Sequence, residues 1–499
     1  MHRIVPIPSS EPVMSTTELQ TVPTRRAEAL SRQERHGYDL LRFRPVKAVV
    51  RWAGFPYVFQ AVLLAFFVFM AVFAWGLYPP ADVPDKLYAK TGLVTLLVWG
   101  LWWPAMVWTA VLFGRVWCAV CPLELVANVT ERLGRSLGIR QRVLGKWLRS
   151  GALIVGLYAL VQMLVAGAHL HRTPAYTSLF LWGLLATAAL TGFFLRDRAF
   201  CRGFCPVGLL LGTYGRGAML AMRPTSADQC STCTGKDCVR ACNRTKADSR
   251  SCPSLLNPAR LKSNSDCLVC GQCVKVCQPD NMGLFLRRPF HPADAREAIA
   301  SWPVTLFVML VSGFVLSELF SEWKAAQAVF LWVPEEVAAL VGATRYAGWI
   351  EGVWTLFFVP SIVWAVLGGI VLVGRGASSL VEAWRRLALP MVVIIAAGHM
   401  CKGLAKVASW AGFLPLSVQD PKGVDTAIGL GAKTIPQPAS LLPMSVVSAI
   451  AVLLVLTGAY FAMRELRLTY PETGPRYRPA LVTLAACFVL IVFGWGYLS

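Results

Sequence analysis

Charge is scarce in this sequence. Only 15% of its 499 residues are Asp, Glu, Lys or Arg, against about 25% in ordinary soluble domains, and that scarcity excludes a conventional soluble globular protein. Acid is scarcer still: 27 acidic residues stand against 48 basic ones, a formal net charge of +21. The stretch Met1–Arg51 has no early apolar core, so it lacks the pattern of a secretory leader. No internal repeat of a recognised length is present. The segment Gly429–Thr434 (GLGAKT) lacks the Gly-Lys pair of a phosphate loop. Nothing in the chain points to nucleic-acid binding; basic residues flanking membrane helices explain the positive charge more simply.

What is abundant is apolar. Hydrophobic residues make up 56% of the chain, and the mean hydropathy is +0.54. Runs of about 20 apolar residues recur, the length that crosses a bilayer's hydrocarbon core. The sequence therefore predicts an all-α polytopic membrane protein of about nine helices: Phe55–Tyr78, Thr91–Phe113, Ser150–Ala168, Tyr176–Leu195, Ser301–Phe320, Val353–Gly374, Leu387–Trp410, Ser445–Met463 and Pro479–Leu498. Arg25, Arg26, Arg32, Arg35, Arg42, Arg44, Lys47 and Arg51 precede the first helix. Arg115, Arg132, Arg135, Arg140, Arg142, Lys146 and Arg149 come after the second. By the positive-inside rule these segments, and the long one after the fourth helix, are cytoplasmic, and an odd helix count puts the C-terminus outside. The chain divides into a basic N-terminal segment (1–54), a four-helix membrane region (55–221), a polar segment (222–300) and a second membrane region (301–499). The expected location is a bacterial inner membrane.

Fifteen cysteines in a large chain, many at C-x₂-C spacing, favour metal or cluster ligation over disulfides. Cys267, Cys270, Cys273 and Cys277 match the C-x₂-C-x₂-C-x₃-C run of bacterial ferredoxins, with Gln278 set before Pro279. Three cysteines on one tight loop reach three irons of a cubane, and the fourth serves the partner cluster; structural zinc is the alternative. Cys230, Cys233 and Cys238 begin a second run. Its fourth member is Cys242 by spacing or Cys252 by the Pro253 directly after it, and we take Cys252. Two 4Fe–4S clusters are expected, one on Cys230, Cys233, Cys238 and Cys277, the other on Cys252, Cys267, Cys270 and Cys273, unless the first run is degenerate. A segment this small needs such staples.

Two further motifs sit at helix ends: GRVWCAVCPLEL with Cys118, Cys121 and Pro122, and RAFCRGFCPVGLL with Cys201, Cys205 and Pro206. With them the region from Phe55 to Ala300 resembles the membrane polyferredoxins, the family of the nitrous-oxide-reductase regulator and of the membrane ferredoxin of periplasmic nitrate reductase. The resemblance implies Cys-Pro motifs at helix ends and a two-cluster segment on the cytoplasmic side. The first motif departs from the family's commoner C-x₃-C-P, and the large flavin domain of some members is missing. Thr344 in VGATR lacks the preceding Ser or Asp of a covalent-flavin site.

The four edge cysteines suit a further redox site, as a cluster, a dithiol pair or a copper(I) site, or else they pack as small hydrophobes. His169, His171 and His399, with Lys402 and Lys406 on the face of His399, are intramembrane polar residues. They are candidates for holding a haem, a metal or a quinone head group, or they snorkel to the interface. Cys401 and Cys487 are expected to pack. Arg240, Arg244, Lys246, Lys262 and Lys275 around the clusters should attract an acidic redox partner such as a ferredoxin or flavodoxin. The expected function is membrane-bound electron transfer between a cytoplasmic or quinol donor and a respiratory or extracytoplasmic acceptor. The alternative is an accessory protein that matures or senses a respiratory metalloenzyme.

Overall fold

The computed structural model describes residues 37–497; Arg25, Arg26, Arg32 and Arg35 of the basic N-terminal run lie outside the described residues. Nine apolar helices occur where hydropathy places them. Seven are long and apolar enough to cross a membrane: α2 (Leu93–Phe113), α4 (Pro174–Phe194), α5 (Trp302–Phe320), α6 (Thr344–Val373), α7 (Leu380–Trp410), α8 (Met444–Thr469) and α9 (Arg478–Tyr497). The other two, α1 (Tyr57–Phe73) and α3 (Ala152–Gly167), have 17 and 16 residues. That is the lower end of what spans about 30 Å of hydrocarbon.

α7 starts seven residues before the expected Leu387. Hydropathy misses its first turns because they carry Glu382, Arg385 and Arg386. Local chemistry specifies them: Ser379 at the N-cap accepts from the Glu382 N–H, and Glu382 accepts in turn from Ser378. α7 is also the most enclosed helix, with 94% of its most apolar stretch buried. It packs against α2, α5, α8 and α9, so the main core forms around it.

Three helical stretches widen to π geometry, each shortly before a proline: Leu96–Trp102 before Pro104, Trp354–Phe358 before Pro360, and Phe200–Phe204 before Pro206. Pro104 and Pro360 lie inside continuous helix, where a proline lacks an N–H and crowds the carbonyl four residues back, and a wider turn relieves both; Pro206 follows its stretch in a turn.

The segment between α4 and α5 is bracketed by a small antiparallel sheet. Strands β1 (Tyr38–Asp39), β2 (Leu220–Pro224) and β3 (Met282–Leu286) lie in the order β1-β3-β2, with Leu220 opposite Leu286 and Pro224 opposite Met282. β2 enters the cysteine-rich segment and β3 leaves it. Between them are only short helices and turns, over a small core of Leu41, Val50, Met222, Val274 and Met282. Its far end is tied to the bundle where the Ala300 N–H donates to the Arg385 carbonyl and Arg385 Nε donates back to the Ala300 carbonyl.

Candidate functional site

The loop from Cys267 to Cys273 turns at Gly271, whose φ of +72° favours glycine; a Cβ there would meet Val50 Cγ1 at 2.7 Å. The helix Gln272–Val276 comes next and delivers Cys273 and Cys277. Burial pushes the Cys252 thiol up to about 12, with Cys270 and Cys267 beside it. Burial raises Cys273 too, next to Cys270, Cys267, Cys252 and Cys238. Cys238 rises by burial and by its neighbours Cys277 and Cys230. Thus Cys252 stands with the Cys267 loop, and Cys277 with the Cys230 run. The two groups touch where the Cys252 N–H donates to the Cys238 carbonyl at 3.0 Å. Cys242 instead is exposed in the turn Ala241–Thr245.

Sequence reasoning missed Asn281. Buried at the start of β3, its N–H donates to Cys277 Sγ at 3.4 Å and its Nδ2 to Cys230 Sγ at 3.2 Å. The Lys236 N–H donates to Cys233 Sγ. These donors favour thiolate over thiol. The only sequence signal was an Asn just beyond Pro279. Lys275 corrects an expectation. It is no docking charge: its side chain is 1% exposed, and Nζ donates to the Trp52 and Phe55 carbonyls and pairs with Asp248 at 2.7 Å. It anchors the segment to the chain entering α1. Arg240, Arg244, Lys246 and Lys262 are exposed.

The two Cys-Pro motifs are built alike. Cys121 and Cys205 both lie in extended conformation at the boundary of a helical stretch, each with proline next; Cys121 is the N-cap of the helix Pro122–Ser136, and Cys205 closes the turn Phe200–Phe204. The chain before them, after α2 and after α4, returns Cys118 and Cys201 to the same place. Burial raises the Cys121 thiol well above its ordinary value, with Cys201, Cys118 and Cys205 as neighbours. Burial pushes Cys205 up to about 12 beside Cys201 and Cys118. Four sulfurs from distant motifs therefore face one another. Arg198 lines the same cavity as Cys118 and Cys201, and its charge acts on these thiols and on Cys270 of the Cys267 loop. The buried atoms Arg198 Nη2 and Arg115 Nε have no hydrogen-bond partner. Unpaired donors beside four thiols fit an anionic iron–sulfur thiolate group.

Glu124 joins the three cysteine regions and was also missed. Its Oε1 lies 3.1 Å from both Arg198 Nε and Arg250 Nη2, and Gln60 donates to Oε2 at 3.0 Å. Burial alone would raise this carboxyl, but Arg198 and Arg250 hold it below the usual carboxylate range. Each of the three charges sits within three residues of a cysteine: Glu124 after Cys121, Arg198 before Cys201, Arg250 before Cys252.

Among the described residues, no group of three or more His, Cys, Asp or Glu side chains is placed to hold one metal ion. Four irons need thiolates farther apart than the ligands of a single zinc or copper. The histidines do not converge. His169 and His171 share a turn in which Arg172 reaches a ring nitrogen of each, at 3.3 and 3.2 Å. Burial, with Lys406 and Arg172 nearby, holds His171 well below its ordinary pKa. A cation at both imidazoles opposes metal ligation there. His399, on α7, is 3% exposed, with Trp103 donating to Nε2 at 3.3 Å and the Tyr214 hydroxyl 3.2 Å from Nδ1. Cys401 packs as expected, its Sγ donating to the Ala451 carbonyl; Cys487 does not, and is exposed on α9. Thr344 begins a short turn, and Gly429–Thr434 runs through the end of a helix.

A cavity of about 290 Å³ connects these elements. Cys118, Cys121, Cys201 and Cys205 line one end; His171, His399, Glu318, Lys402 and Lys406 line the other. The wall between is aromatic, with Trp99, Trp103 and Phe314. The buried Gln162 Oε1 and Tyr158 hydroxyl in this wall have no hydrogen-bond partner. The expected face of His399, Lys402 and Lys406 is thus one side of a cavity, and Lys402 is ion-paired rather than snorkelling.

A family described as a 4Fe-4S binding domain matches residues 95–140 and 178–222. These stretches hold the two Cys-Pro motifs and stop short of Cys230. The ferredoxin-type protein NapH of Haemophilus influenzae is 27% identical over 177 residues, covering 34% of this chain and 61% of that protein. NapH of Escherichia coli is 25% identical over 183 residues, 33% of this chain and 60% of that one. The methylamine utilization ferredoxin-type protein MauN of Paracoccus denitrificans is 26% identical over 172 residues, 32% and 56% of the two chains. The chain thus spans 61% or less of the length of these curated relatives. No solved structure matches. The family match and these relatives support the membrane polyferredoxin family.

Proposed function

We propose that the chain is a membrane-bound iron–sulfur electron-transfer protein with three successive sites. Cys230, Cys233, Cys238 and Cys277 hold one cluster, Cys252, Cys267, Cys270 and Cys273 a second, and Cys118, Cys121, Cys201 and Cys205 a third. The observation that carries this reading is the contact sequence of the thiol groups. Cys238 meets Cys252 through a backbone hydrogen bond, and Glu124 Oε1 joins Arg198, which lines the cavity with Cys118 and Cys201, to Arg250, two residues before Cys252. When bound, the clusters supply one-electron transfer.

The protein's own groups set the conditions. Asn281 and the Lys236 N–H donate to sulfur in the outer set. Arg115, Arg198 and Arg250 oppose the thiolate charge of the inner sets, and Glu124 holds the last two in place. The aromatic cavity beyond the third set suits a quinone, whose head group would lie among Trp99, Trp103 and Phe314. Haem is not part of this reading, because the histidines do not pair. Nine helices cross the membrane, α1 and α3 included, with the basic segments and clusters on the cytoplasmic face. Arg240, Arg244, Lys246 and Lys262 receive an acidic redox protein.

An anaerobic iron count tests the number of sites. Three cubanes give about 12 irons per chain, falling to about 8 in Cys121→Ser with Cys205→Ser. A wild-type value near 8 that the double variant leaves unchanged would remove the third site.

A further inference from the structure

The cavity that begins at four thiols ends on buried charges, and the role assigned to them here rests on the quinone reading of that cavity. Glu318 of α5 and Lys402 of α7 line its far end. Lys402 Nζ lies 3.3 Å from Glu318 Oε2 and 2.7 Å from Glu322 Oε1, and it donates to Ser321 Oγ at 2.6 Å. Glu322 is not part of the cavity wall, and 19% of its side chain is exposed. One ammonium therefore bridges a carboxylate that lines the cavity and a carboxylate outside its wall.

Other charged groups face this triad from each neighbouring element. Lys406, one turn on in α7, packs over the Trp410 ring at 4.8 Å and faces Glu318. His171 and Arg172 approach Glu318 from the turn between α3 and α4, and His399 from α7. Glu351 of α6 faces Arg172 and Glu318. Lys90, in the helix Asp85–Thr91, faces Glu322 and Lys402. The position along α5 matters as well. Its first residue, Trp302, lies beside the Ala300–Arg385 tie to the cysteine-rich segment, and Glu318 is 16 residues on, about 24 Å at 1.5 Å per residue. Thiols and carboxylates thus occupy opposite ends of one space. Paired carboxylates and cations inside a membrane bundle mark ion and proton paths.

We propose that Glu318, Lys402 and Glu322 form a proton path between the cavity and the membrane face opposite the thiols. A bound quinone then exchanges electrons at one end and protons at the other. In quinone reduction, two O–H bonds form on the quinone oxygens. Two electrons come from two reduced iron–sulfur centres, each oxidised by one electron. Two protons come through Glu318, which is reprotonated through Lys402 and Glu322 from water on the far face. Hydroquinone oxidation runs the same steps in reverse.

The test uses full-length, cluster-loaded protein in detergent, reduced and then mixed with decyl-ubiquinone. Recovery of the iron–sulfur absorbance gives the reaction rate, and quenching of tryptophan fluorescence gives binding. Glu318→Gln and Glu322→Gln should react at least about tenfold more slowly and lose the wild-type rate's dependence on pH between about 6 and 9, with binding unchanged in Glu322→Gln. Glu322→Asp should restore both rate and profile. Glu322 stands outside the cavity wall, so its variants carry the test where Glu318→Gln fails to accumulate. Wild-type rates and pH profile in the Gln variants would reduce the triad to a structural staple and overturn the path. Wild-type protein that neither binds decyl-ubiquinone nor is reoxidised by it would overturn the quinone reading, and the path with it.

Discussion

Cys252 and Cys242 compete for one role in the sequence, and their surroundings differ sharply. Cys252 is enclosed beside Cys267 and Cys270, whereas Cys242 is exposed in a turn. Cys252→Ala should therefore cost about four irons per chain in an anaerobic iron assay, and Cys242→Ala none; the opposite pattern would reverse the ligand assignment. Glu124 gives a prediction with a sign in pH. Its folded-state pKa is lowered, so its contribution to stability is present above its unfolded value of about 4.3 and is lost as pH falls through the folded value. Glu124→Gln leaves Arg198 and Arg250 without their carboxylate in a site 3% exposed, at a cost of about 3 kcal/mol. Thermal unfolding at pH 7 should show the loss, and the gap to wild type should narrow only below about pH 4.

At the scale of elements, the edge motifs depend on how closely two helices approach. Gly192 of α4 faces the helix Pro122–Ser136, which starts at the first Cys-Pro motif; a Cβ at 192 would meet the Ala127 carbonyl oxygen and Thr130 Oγ1, both at 2.3 Å. Backbone cannot yield as a flexible side chain can, so Gly192→Val should force the helices apart and misplace Cys118 and Cys121 relative to Cys201 and Cys205. The expected readout is iron content reduced by the third site's share, with the Cys267 loop still loaded. Iron content equal to wild type would show that the edge group tolerates the shift. The π turn at Phe200–Phe204 belongs to the same logic. It carries Cys201, and the widened turn sets that thiol against the first motif.

At the scale of the whole molecule, the thiols, cavity and buried charges form one line through the bundle, so the orientation in the membrane fixes the meaning of both ends. A reporter fused after Arg288 should behave as cytoplasmic, and one fused after Ser499 as extracytoplasmic; the reverse pattern would invert the direction of the electron and proton routes.

Composition, hydropathy and cysteine spacing determined the membrane class, the positions of nine apolar helices and the ferredoxin-like run, because each is a property of neighbouring residues. The first turns of α7 escaped hydropathy, since the Ser379 N-cap, the Glu382 bond to Ser378 and three charges define them. Tertiary structure alone decided the rest. It put Cys252 with Cys267, brought Cys118 and Cys201 across 83 positions of sequence, set His171 and His399 on the wall of one cavity, and turned Lys275 from a surface charge into an anchor. Spacing reports which ligands one loop can present. Which loops meet depends on where helices cross and on which buried charge finds its partner, and a pairing such as Glu124 with Arg198 and Arg250 exists only once the chain has packed.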